Sequence, residues 1–539
     1  MASFNLIHEP WLPVKRRSGR IESIQPWRIT EDIDADPIVS FEWPRPDFNG
    51  ASHEFLIGLL ATTFAPEDEA VWQEHWYKPP SSEVLEQQFS KVAFAFDLDG
   101  DGPRFMQDFE KFEEYSAKAN FPIAGLLIDA PGKQTLKQNA DLFIKRGRVL
   151  AFSRATLAIA LFTLSTYAPS GGAGHRTSLR GGGPMTTLVI ADHIQFGSTL
   201  WGRLWPNVNM TDSKLSKFDD SVFPWLSATR TSSKKDKTIE TTIEDVHPLQ
   251  MYWGMPRRIR ILFEPSIDQR CSITAVKDRV ITTGYQTMNY GINYTDGFEH
   301  PLSPYYRTNV KETSWLPRHV QSNAITYRLW SGLVVPSSDS LKKPATVVRH
   351  WCQARASHDT ISRFVAFGYD MDNMKAKGWS EAEMPIWLLD PTTFEFMERF
   401  ILQIINGANE VSQFLVKSVK TALFSNPQDA RGDYHFITER LFRETESEFL
   451  VSLNRARELI VESNEEDDPT IPIREKWLVQ MKKIANRIFD ENVPMEGVEN
   501  RDMGRVIRAK RNLTFALLGY GTSGKKLFAQ LDLPTPGSS

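Results

Sequence analysis

Hydrophobic residues follow two different patterns along the chain. In the N-terminal part they form short runs, and those of Glu54 to Ala65 and Ala155 to Ser165 have the spacing of helices. The runs Leu188 to Ile190 and Arg258 to Phe263 are typical of strands. Prolines and glycines separate these runs, and no repeat of fixed period occurs. We therefore predict an α+β fold class, with a large, irregular, mixed N-terminal domain over residues 1–385.

The pattern changes after Pro391. Apolar residues there keep a three-and-four spacing, which places them on one face of a long helix. They are Met397, Phe400, Ile401, Ile404, Ile405, Ala408, Val411, Leu415, Val419 and Ala422. Three further amphipathic segments follow, at about Tyr434 to Ile460, Arg474 to Phe489 and Arg501 to Leu518, with Gly519 ending the last one. Four helices joined by short loops predict a C-terminal four-helix bundle over residues 386–539.

Composition limits the classes of function. The chain has 539 residues, too many for a single core, and its 41% hydrophobic and 24% charged residues are ordinary for a soluble globular protein. A formal net charge of -4 argues against a protein that coats nucleic acid by bulk electrostatics. Any contact with nucleic acid must therefore come from local basic patches or from membership of a larger assembly.

The sequence also indicates a compartment. Met1 to Val14 lacks the pattern of a signal peptide, and the longest apolar runs are shorter than the roughly 20 residues that span a bilayer. We therefore expect a cytoplasmic protein that contacts no membrane. Cys271 and Cys352 are the only cysteines, so we predict no disulfide framework, no cysteine-based zinc site and no other cofactor.

The segment Ser170 to Pro184 reads S-G-G-A-G-H-R-T-S-L-R-G-G-G-P and follows an apolar helix. Glycine has no Cβ, so the backbone here can approach a phosphate or the floor of a nucleic-acid groove closely. Arg176 and Arg180 would supply cations beside it. The alternative is a turn-rich connection whose glycines satisfy only local geometry.

Three basic groups point in the same direction. Each alone is typical of an exposed, solvated face, but together with the glycine segment they favour a surface that follows a nucleic-acid backbone. The groups are Phe143 to Arg148, which reads F-I-K-R-G-R; Arg257, Arg258 and Arg260; and Arg501, Arg505 and Arg508, which share one face of the last predicted helix.

A possible phosphate-binding motif is a weak match. Gly519 to Lys525 reads G-Y-G-T-S-G-K, but Lys526 stands where a P-loop needs serine or threonine. The segment also follows a predicted helix rather than a strand. We interpret it as a helix C-cap and tail.

A possible calcium loop is weak as well. Asp97 to Gly102 has the ligand spacing of an EF-hand, with Asp108 at the last position. The preceding Ala93 to Phe96 predicts a strand rather than an entering helix, so we interpret the loop as a solvated acidic turn. The sequence contains no G-x-S-x-G or H-E-x-x-H motif, and we predict no catalytic site.

In several sequence segments the chain resembles a known family, the large subunit (CasA) of the type I-E CRISPR surveillance complex, Cascade. The matching segments occur in the expected order along nearly the whole chain. They are N-L-I-H-E-P-W-L-P-V (Asn5 to Val14), F-M-Q (Phe105 to Gln107), G-G-A-G-H-R-T-S-L-R-G-G-G-P (Gly171 to Pro184), W-G-M-P-R-R-I-R (Trp253 to Arg260) and F-G-Y-D-M-D-N-M-K-A (Phe367 to Ala376).

The resemblance implies a non-catalytic subunit with several partners. Such a subunit assembles with the other Cascade subunits and crRNA, inspects double-stranded target DNA for the protospacer-adjacent motif (PAM), helps to open the duplex, and recruits the CRISPR helicase-nuclease. By the same resemblance, a loop that contacts the PAM and docks on the crRNA 5′ end falls on Phe143, Ile144 and Lys145.

Two further contacts with DNA are implied. The glycine loop that enters the minor groove corresponds to Gly171, Gly172, Ala173 and Gly174. A hairpin that carries an amide wedge under the PAM corresponds to Asp372, Asn373 and Met374, with Asn373 as the wedge. Apart from these two contacts, the basic stripe itself suggests a site for the displaced strand, formed by Arg501, Arg505 and Arg508.

The sequence departs from the family at two places. Some members have a zinc-binding cysteine cluster after the position of Arg260, where only Cys271 remains, so zinc is not expected. Some members also place a lysine in the minor groove from the segment Tyr285 to Tyr290, which has none here. Gln286 and Asn289 are the candidates to replace it.

Two other classes of function stay open at this stage. One is a nucleotide-dependent enzyme that uses Gly171 to Gly183 or Gly519 to Lys525 as a phosphate cradle. The other is a helical scaffold that makes no contact with nucleic acid.

Overall fold

The computed structural model describes most of the chain in two compact units. The described residues are 3–110, 112, 120–141, 144–172, 174–210, 217–233, 239–295, 297–320, 325–334, 340–355, 362–386, 391–432, 434–462, 468–493 and 503–536. Unit 1 comprises Met1–Gln321 and Gly332–Ile386, and unit 2 comprises Ser322–Ser331 and Trp387–Ser539. The division into domains at 385/386 stays a prediction.

Unit 1 combines helices with four small sheets. Its helices are α1 (Pro46–Thr63), α2 (Glu69–Tyr77), α3 (Ser82–Ser90), α4 (Lys133–Lys137), α5 (Arg154–Tyr167), α6 (Trp201–Leu204) and α7 (Thr346–His350). Its strands are β1 (Leu12–Arg16), β2 (Ile21–Ile24), β3 (Ile38–Phe41), β4 (Asn120–Pro122), β5 (Phe152–Ser153), β6 (Thr186–Ala191), β7 (Arg258–Pro265), β8 (Val280–Met288), β9 (Tyr305–Tyr306), β10 (Leu316–Pro317), β11 (Lys342–Lys343), β12 (Ser362–Asp372) and β13 (Lys375–Pro385).

The sheets are antiparallel. Their strand orders are β2-β1-β3, β10-β9-β11, β13-β12-β6 and β4-β8-β5, and β7 also pairs with β8. In the third sheet, Phe367 of β12 lies opposite Thr186 of β6, and Asp372 lies opposite Lys375 of β13. This sheet therefore connects the end of the glycine segment to a long hairpin.

The core of unit 1 forms around α1 and α5, which are buried along most of their lengths. The ring of Phe55 on α1 makes edge contacts with five other aromatic rings at centroid distances of 5.2 to 6.0 Å. Edge-on packing of this kind aligns the positive edge of one ring with the negative face of another. The two helices thus supply a rigid base for the loops that follow them.

The four elements predicted in this unit are confirmed. The predicted helices correspond to α1 and α5, and the predicted strands lie within β6 and β7. The strand predicted at Ala93 to Phe96 is wrong, because Ala93–Ala95 is a turn of 3-10 helix. A run of four apolar residues fits either structure, and the stacking of Phe96 on Phe105 at 5.5 Å accompanies the helical turn here.

In the described part of unit 2, every element of regular structure longer than one turn is an α-helix. Its helices are α8 (Pro391–Leu423), α9 (His435–Glu462), α10 (Ile471–Asn492), α11 (Met503–Leu517) and α12 (Gly521–Gln530). Met397, Ile404 and Leu415 of the predicted apolar face are fully buried. Tyr327, which precedes the helices in sequence, stacks on Phe449 at 4.1 Å. The α+β fold class is therefore confirmed.

The C-terminal end differs from its prediction. Gly519, with φ +92°, ends α11 as predicted, since glycine adopts this left-handed conformation without strain. The residues after it are not an irregular tail but α12, so the described helical region has five helices where four were predicted. Leu527 and Leu531 are fully buried, which explains why this short segment is helical.

Candidate nucleic-acid interface

The first glycines form a tight turn. The N–H of Gly171 donates to the carbonyl oxygen of His175 at 3.0 Å, and the N–H of His175 donates to that of Gly172 at 2.9 Å. Gly172 and Gly174 have φ of +70° and +83°, a region that other residues rarely adopt. Gly171 and Gly172 are exposed, so their backbone is open to another molecule. Ala173 lies outside the described residues.

The two positive-φ glycines face different surroundings. A Cβ on Gly172 would meet nothing within 4 Å, whereas a Cβ on Gly174 would lie 2.6 Å from Cδ1 of Tyr290. The N–H of Tyr290 also donates to the carbonyl oxygen of Gly174 at 2.9 Å. Packing against Tyr290 therefore requires glycine at position 174. At Gly172 no protein atom would contact a side chain, so the space beside its Cα is open to another molecule.

The arginines of the glycine segment are not free cations, contrary to expectation. Arg180 is buried and forms an ion pair with Glu54, and its Nη1 donates to Oγ1 of Thr186 at 3.0 Å. Arg176 donates from Nε to Oγ of Ser232 at 2.8 Å. Arg180 thus braces the segment from inside, because a buried charge is tolerated only when it is paired and hydrogen-bonded, and the half-buried Arg176 ties the segment to Ser232.

The cations of Arg257, Arg258 and Arg260 are also internal, so that predicted patch is wrong. Arg258 is buried against the carboxylate of Asp108, and Nη1 of Arg260 donates to the main-chain oxygen of Asp108 at 2.7 Å. Arg257 donates from Nε to the main-chain oxygen of Arg176 at 2.8 Å, and burial lowers its pKa to about 10. This group holds the glycine segment and β7 together.

The basic segment before α5 does reach the surface. Ile144 is 44% exposed, and Lys145 and Arg148 are exposed with no ion pair among the described residues. Arg146 instead donates from Nε to Asp141 at 2.6 Å and also binds the side chain of Asn139. The loop is therefore held by Arg146 and presents two other cations. Phe143 lies outside the described residues.

The predicted hairpin is confirmed as β12 and β13. Asp372 and Lys375 pair across a two-residue turn formed by Asn373 and Met374, which have φ of +47° and +65°. Two successive positive φ values are typical of a type I′ turn, whose twist matches that of a hairpin. Asn373 is exposed and Met374 is 62% exposed, so both project from the end of the hairpin.

The hairpin and the glycine segment belong to one assembly of elements. Gly183 has φ +64°, and a Cβ there would lie 2.6 Å from the main-chain oxygen of Tyr369 and from Cγ of Met371. A Cβ on Gly368 would similarly lie 2.6 Å from the oxygen of Pro184. Close packing of Gly183 and Pro184 against β12 therefore fixes the part of the strand next to the hairpin tip relative to the glycine segment.

Of the three arginines predicted to form a basic stripe on the last amphipathic segment, the two that the structure describes differ in their surroundings. Arg505 donates from Nε to the main-chain oxygen of Ala422 at 3.2 Å and from Nη1 to Oγ of Ser425 at 3.0 Å. Arg508 is exposed on α11. Arg501 lies outside the described residues.

The two candidates for the minor-groove contact differ. Nε2 of Gln286 on β8 donates to Oδ1 of Asn120 at 3.0 Å, which occupies its amide. Asn289 is exposed and directly precedes Tyr290, the residue that contacts Gly174. Asn289 is therefore the better placed of the two beside the glycine turn.

The acidic turn serves the fold and is not simply solvated as predicted. Oδ1 of Asp97 accepts from Oγ of Ser3 at 2.7 Å, and Oδ1 of Asp99 accepts from the N–H of Phe4 at 2.6 Å. Asp108 pairs with Arg258. These carboxylates are thus committed to protein partners, and the described residues contain no group of three or more side chains that could hold a metal ion.

The structure also bears on the possible phosphate cradle at Gly519 to Lys525 and on contact with a membrane. The glycines before Lys525 follow helix α11 and begin α12, whereas a P-loop joins a strand to a helix. Nζ of Lys526 pairs with Glu410 at 2.6 Å. Within the described ranges, no helix combines the length and apolar character needed to cross a membrane.

Solved structures with a similar fold extend over nearly the whole chain. Cse1 from Thermobifida fusca is 17% identical, with a TM-score of 0.66 and coverage of 98% of each chain. CasA from Thermus thermophilus is 16% identical, with a TM-score of 0.64 and coverage of 96% of this chain and 100% of that one. A chain of a CRISPR RNA-guided surveillance complex is 17% identical, with a TM-score of 0.67 and coverage of 95% and 100%.

The sequence itself provides the family assignment. The family model for CRISPR-associated protein Cse1 matches residues 5–488, which include the glycine segment, the basic segment and the hairpin. The resemblance indicated by the sequence motifs is thereby confirmed. This chain belongs to the Cse1 family of CRISPR-associated proteins.

Proposed function

We propose that the chain is the non-catalytic large subunit of a type I-E CRISPR RNA-guided surveillance complex, Cascade. In this role it recognises the PAM in double-stranded DNA, promotes formation of the R-loop and recruits the helicase-nuclease for antiviral defence. Its partners are the other Cascade subunits, crRNA and the target DNA. Family membership and the similarity to a chain of a surveillance complex support the proposal.

The observation that carries the proposal is the hairpin tip. Asn373 and Met374 project from a two-residue turn, and the part of β12 just before that turn packs on Gly183 and Pro184 of the glycine segment. A short tip that carries an exposed amide on a closely packed strand is suited to entering a base step. Unstacking one step costs roughly a few kcal/mol, which contacts to the opened strands and pairing with the guide offset.

The glycine turn supports a role in recognising the PAM. The minor groove distinguishes mainly A·T from G·C pairs, because only guanine adds an amino donor there. A backbone of Gly171, Gly172 and Gly174 without side chains reads the width of the groove and that donor, which predicts a tolerant choice of PAM. Asn289 replaces the minor-groove lysine of other members.

The basic segment supplies sequence-independent affinity. Lys145 and Arg148 are exposed cations that bind backbone phosphates, and each contact releases condensed counterions. Together with Phe143 and Ile144 this segment docks on the 5′ end of the crRNA and lies beside the PAM. Arg505 and Arg508 on α11, together with Arg501 before it in sequence, hold the displaced strand.

Reconstitution tests the proposal. The chain is assembled with crRNA and its neighbouring subunits, and binding is measured to a set of duplex targets that carry every PAM. We expect PAM-dependent binding that disappears when the chain is omitted. Binding that is equal for all PAMs, or unchanged without the chain, would contradict the proposal. ATP hydrolysis by the purified chain would instead favour a nucleotide-dependent enzyme.

A further inference from the structure

One arginine joins three separate elements of unit 1. Arg45 lies at the start of α1 and holds the carboxylate of Asp47 with a two-pronged contact, at 3.0 Å from Nε and 2.9 Å from Nη2. The same guanidinium donates to both oxygens of Asp129, at 3.3 and 3.0 Å. Its Nη2 also reaches the hydroxyl of Tyr369 on β12 at 3.3 Å.

The contacts form a closed network that is mostly buried. Asp47 and Tyr369 are each only 2% exposed, and the Tyr369 hydroxyl donates to Oδ2 of Asp47 at 2.6 Å. Burial works against the charge of Arg45, but the two carboxylates outweigh it and raise its pKa. Burial beside Asp47 raises the pKa of Tyr369. The hydroxyl therefore stays protonated and the guanidinium charged.

The positions of Tyr369 and Asp129 in the chain show which parts of unit 1 this network connects. Tyr369 lies four residues before Asn373, which corresponds to about 13 Å along a strand. Asp129 precedes α4 in the stretch of chain that leads to Lys145, and Arg146 ties the later part of that stretch together by binding Leu136, Asn139 and Asp141. Arg45 thus links the hairpin to the stretch of chain that leads into the basic segment.

We infer that Arg45 is a positioning residue that fixes the hairpin tip relative to the basic segment, so that binding of phosphates by one drives insertion of the other. The inference rests on the proposed function. If the phosphate contacts and the hairpin tip are held a fixed distance apart, the free energy of phosphate binding can be used to open the duplex. If the two contacts are not linked, phosphate binding keeps the duplex bound without opening it. Asp129 is the part of the link that can be removed without leaving Asp47 unpaired.

The test compares Asp129→Ala with a matched control in the reconstituted complex. Asp268→Ala also removes an exposed aspartate with a cationic partner, Lys277, outside this network. Because a partly exposed ion pair contributes little, we expect Asp129→Ala to slow R-loop formation on fully paired targets by about two- to fivefold. Targets already unpaired beside the PAM should form R-loops at the unmodified rate, and Asp268→Ala should match the unmodified complex on both.

A double-mutant cycle with the hairpin tip decides whether the effect passes through the hairpin. If it does, Asp129→Ala added to Asn373→Gly causes no further slowing. Multiplied rate losses, or equal losses on paired and unpaired targets, would overturn the inference. Arg45→Lys keeps the charge beside Asp47 but loses the two-pronged contact, and it should behave like Asp129→Ala.

The two hypotheses fail in distinguishable ways. If the unmodified complex shows no PAM-dependent binding, the proposed function fails. If that binding is present but Asp129→Ala matches Asp268→Ala on paired targets, the positioning role alone fails.

Discussion

The N–H of Tyr290 donates to the carbonyl oxygen of Gly174 at 2.9 Å, and the Tyr290 ring occupies the space where a side chain on Gly174 would lie. A substitution at Gly174 therefore disturbs the protein before any DNA is present. We expect Gly174→Ala to destabilise the glycine turn by about 1–3 kcal/mol, the usual cost of overpacking. Thermal unfolding of the isolated chain measures this effect.

Gly172 allows a cleaner test of contact with DNA. Its φ is +70°, a conformation that asparagine and aspartate tolerate better than other residues, and its surroundings are open. Gly172→Asp and Gly172→Asn add side chains of nearly equal size, and only the first adds a negative charge. We expect both variants to assemble and Gly172→Asp to bind PAM-containing duplex more weakly than Gly172→Asn. Equal affinities would show that no phosphate lies near this turn.

The amide of Asn373 is expected to act when the duplex opens. Asn373 has φ +47°, so a change to alanine would mix loss of the amide with backbone strain, whereas Asn373→Gly removes only the side chain. R-loop formation should slow on fully paired targets and stay unchanged on targets unpaired beside the PAM. Ser340→Gly, at another exposed position with φ +57°, is the matched control. Equal slowing on both kinds of target would indicate a packing role.

Lys145 and Arg148 are expected to contribute phosphate contacts. Changing both to glutamine removes two exposed charges from a loop that Arg146 continues to hold. The slope of log affinity against log salt should become less steep by about 1–2, since each B-DNA phosphate contact contributes roughly 0.9. Lys277→Gln, also an exposed lysine, should leave the slope unchanged. An unchanged slope in the double variant would remove this loop from the DNA path.

The predicted basic stripe on the last amphipathic segment can be tested with all three of its arginines changed to glutamine. If Arg501, Arg505 and Arg508 hold the displaced strand, affinity falls uniformly across target sequences and its salt dependence flattens, with the PAM preference unchanged. Arg487→Gln, an exposed arginine on α10, is the control. If salt titrations of R-loop complexes give the same slope for the triple variant and the unmodified chain, these arginines do not bind the displaced strand.

The stability of the isolated chain is expected to fall in mild acid. His300 is buried, and burial together with the charge of Arg180 holds its pKa well below the ordinary value. Below about pH 6.5 the unfolded chain gains a proton there and the folded protein does not, so the free energy of unfolding falls by up to about 1.4 kcal/mol per pH unit.

A substitution isolates this histidine. Nδ1 of His300 accepts from the N–H of Leu302 at 3.2 Å, and an asparagine oxygen can take the same role. His300→Asn should therefore show a smaller drop in melting temperature between pH 7 and pH 5 than the unmodified chain. His8→Asn, at an exposed position, should keep the full drop. A parallel loss in all three proteins would assign the acid sensitivity to other groups.

Local sequence patterns determined much of this protein. The three-and-four spacing of residues such as Ile404 and Leu415 predicted α8, because a helix face that must be buried has to be apolar at that period. The glycine at 519 predicted the end of α11 through its left-handed backbone. The family motifs located the hairpin, and a two-residue connection between long strands admits few turn types.

Only the tertiary structure decided which charges face outward. Arg180 and Arg258 stand among glycines and other arginines in sequence and suggest a basic surface, yet each meets a distant carboxylate, Glu54 or Asp108, and becomes part of the interior. Lys145 has the same kind of local sequence and stays exposed. The exposure of a cation depends on what the fold brings against it from more than a hundred residues away, and no local pattern records that.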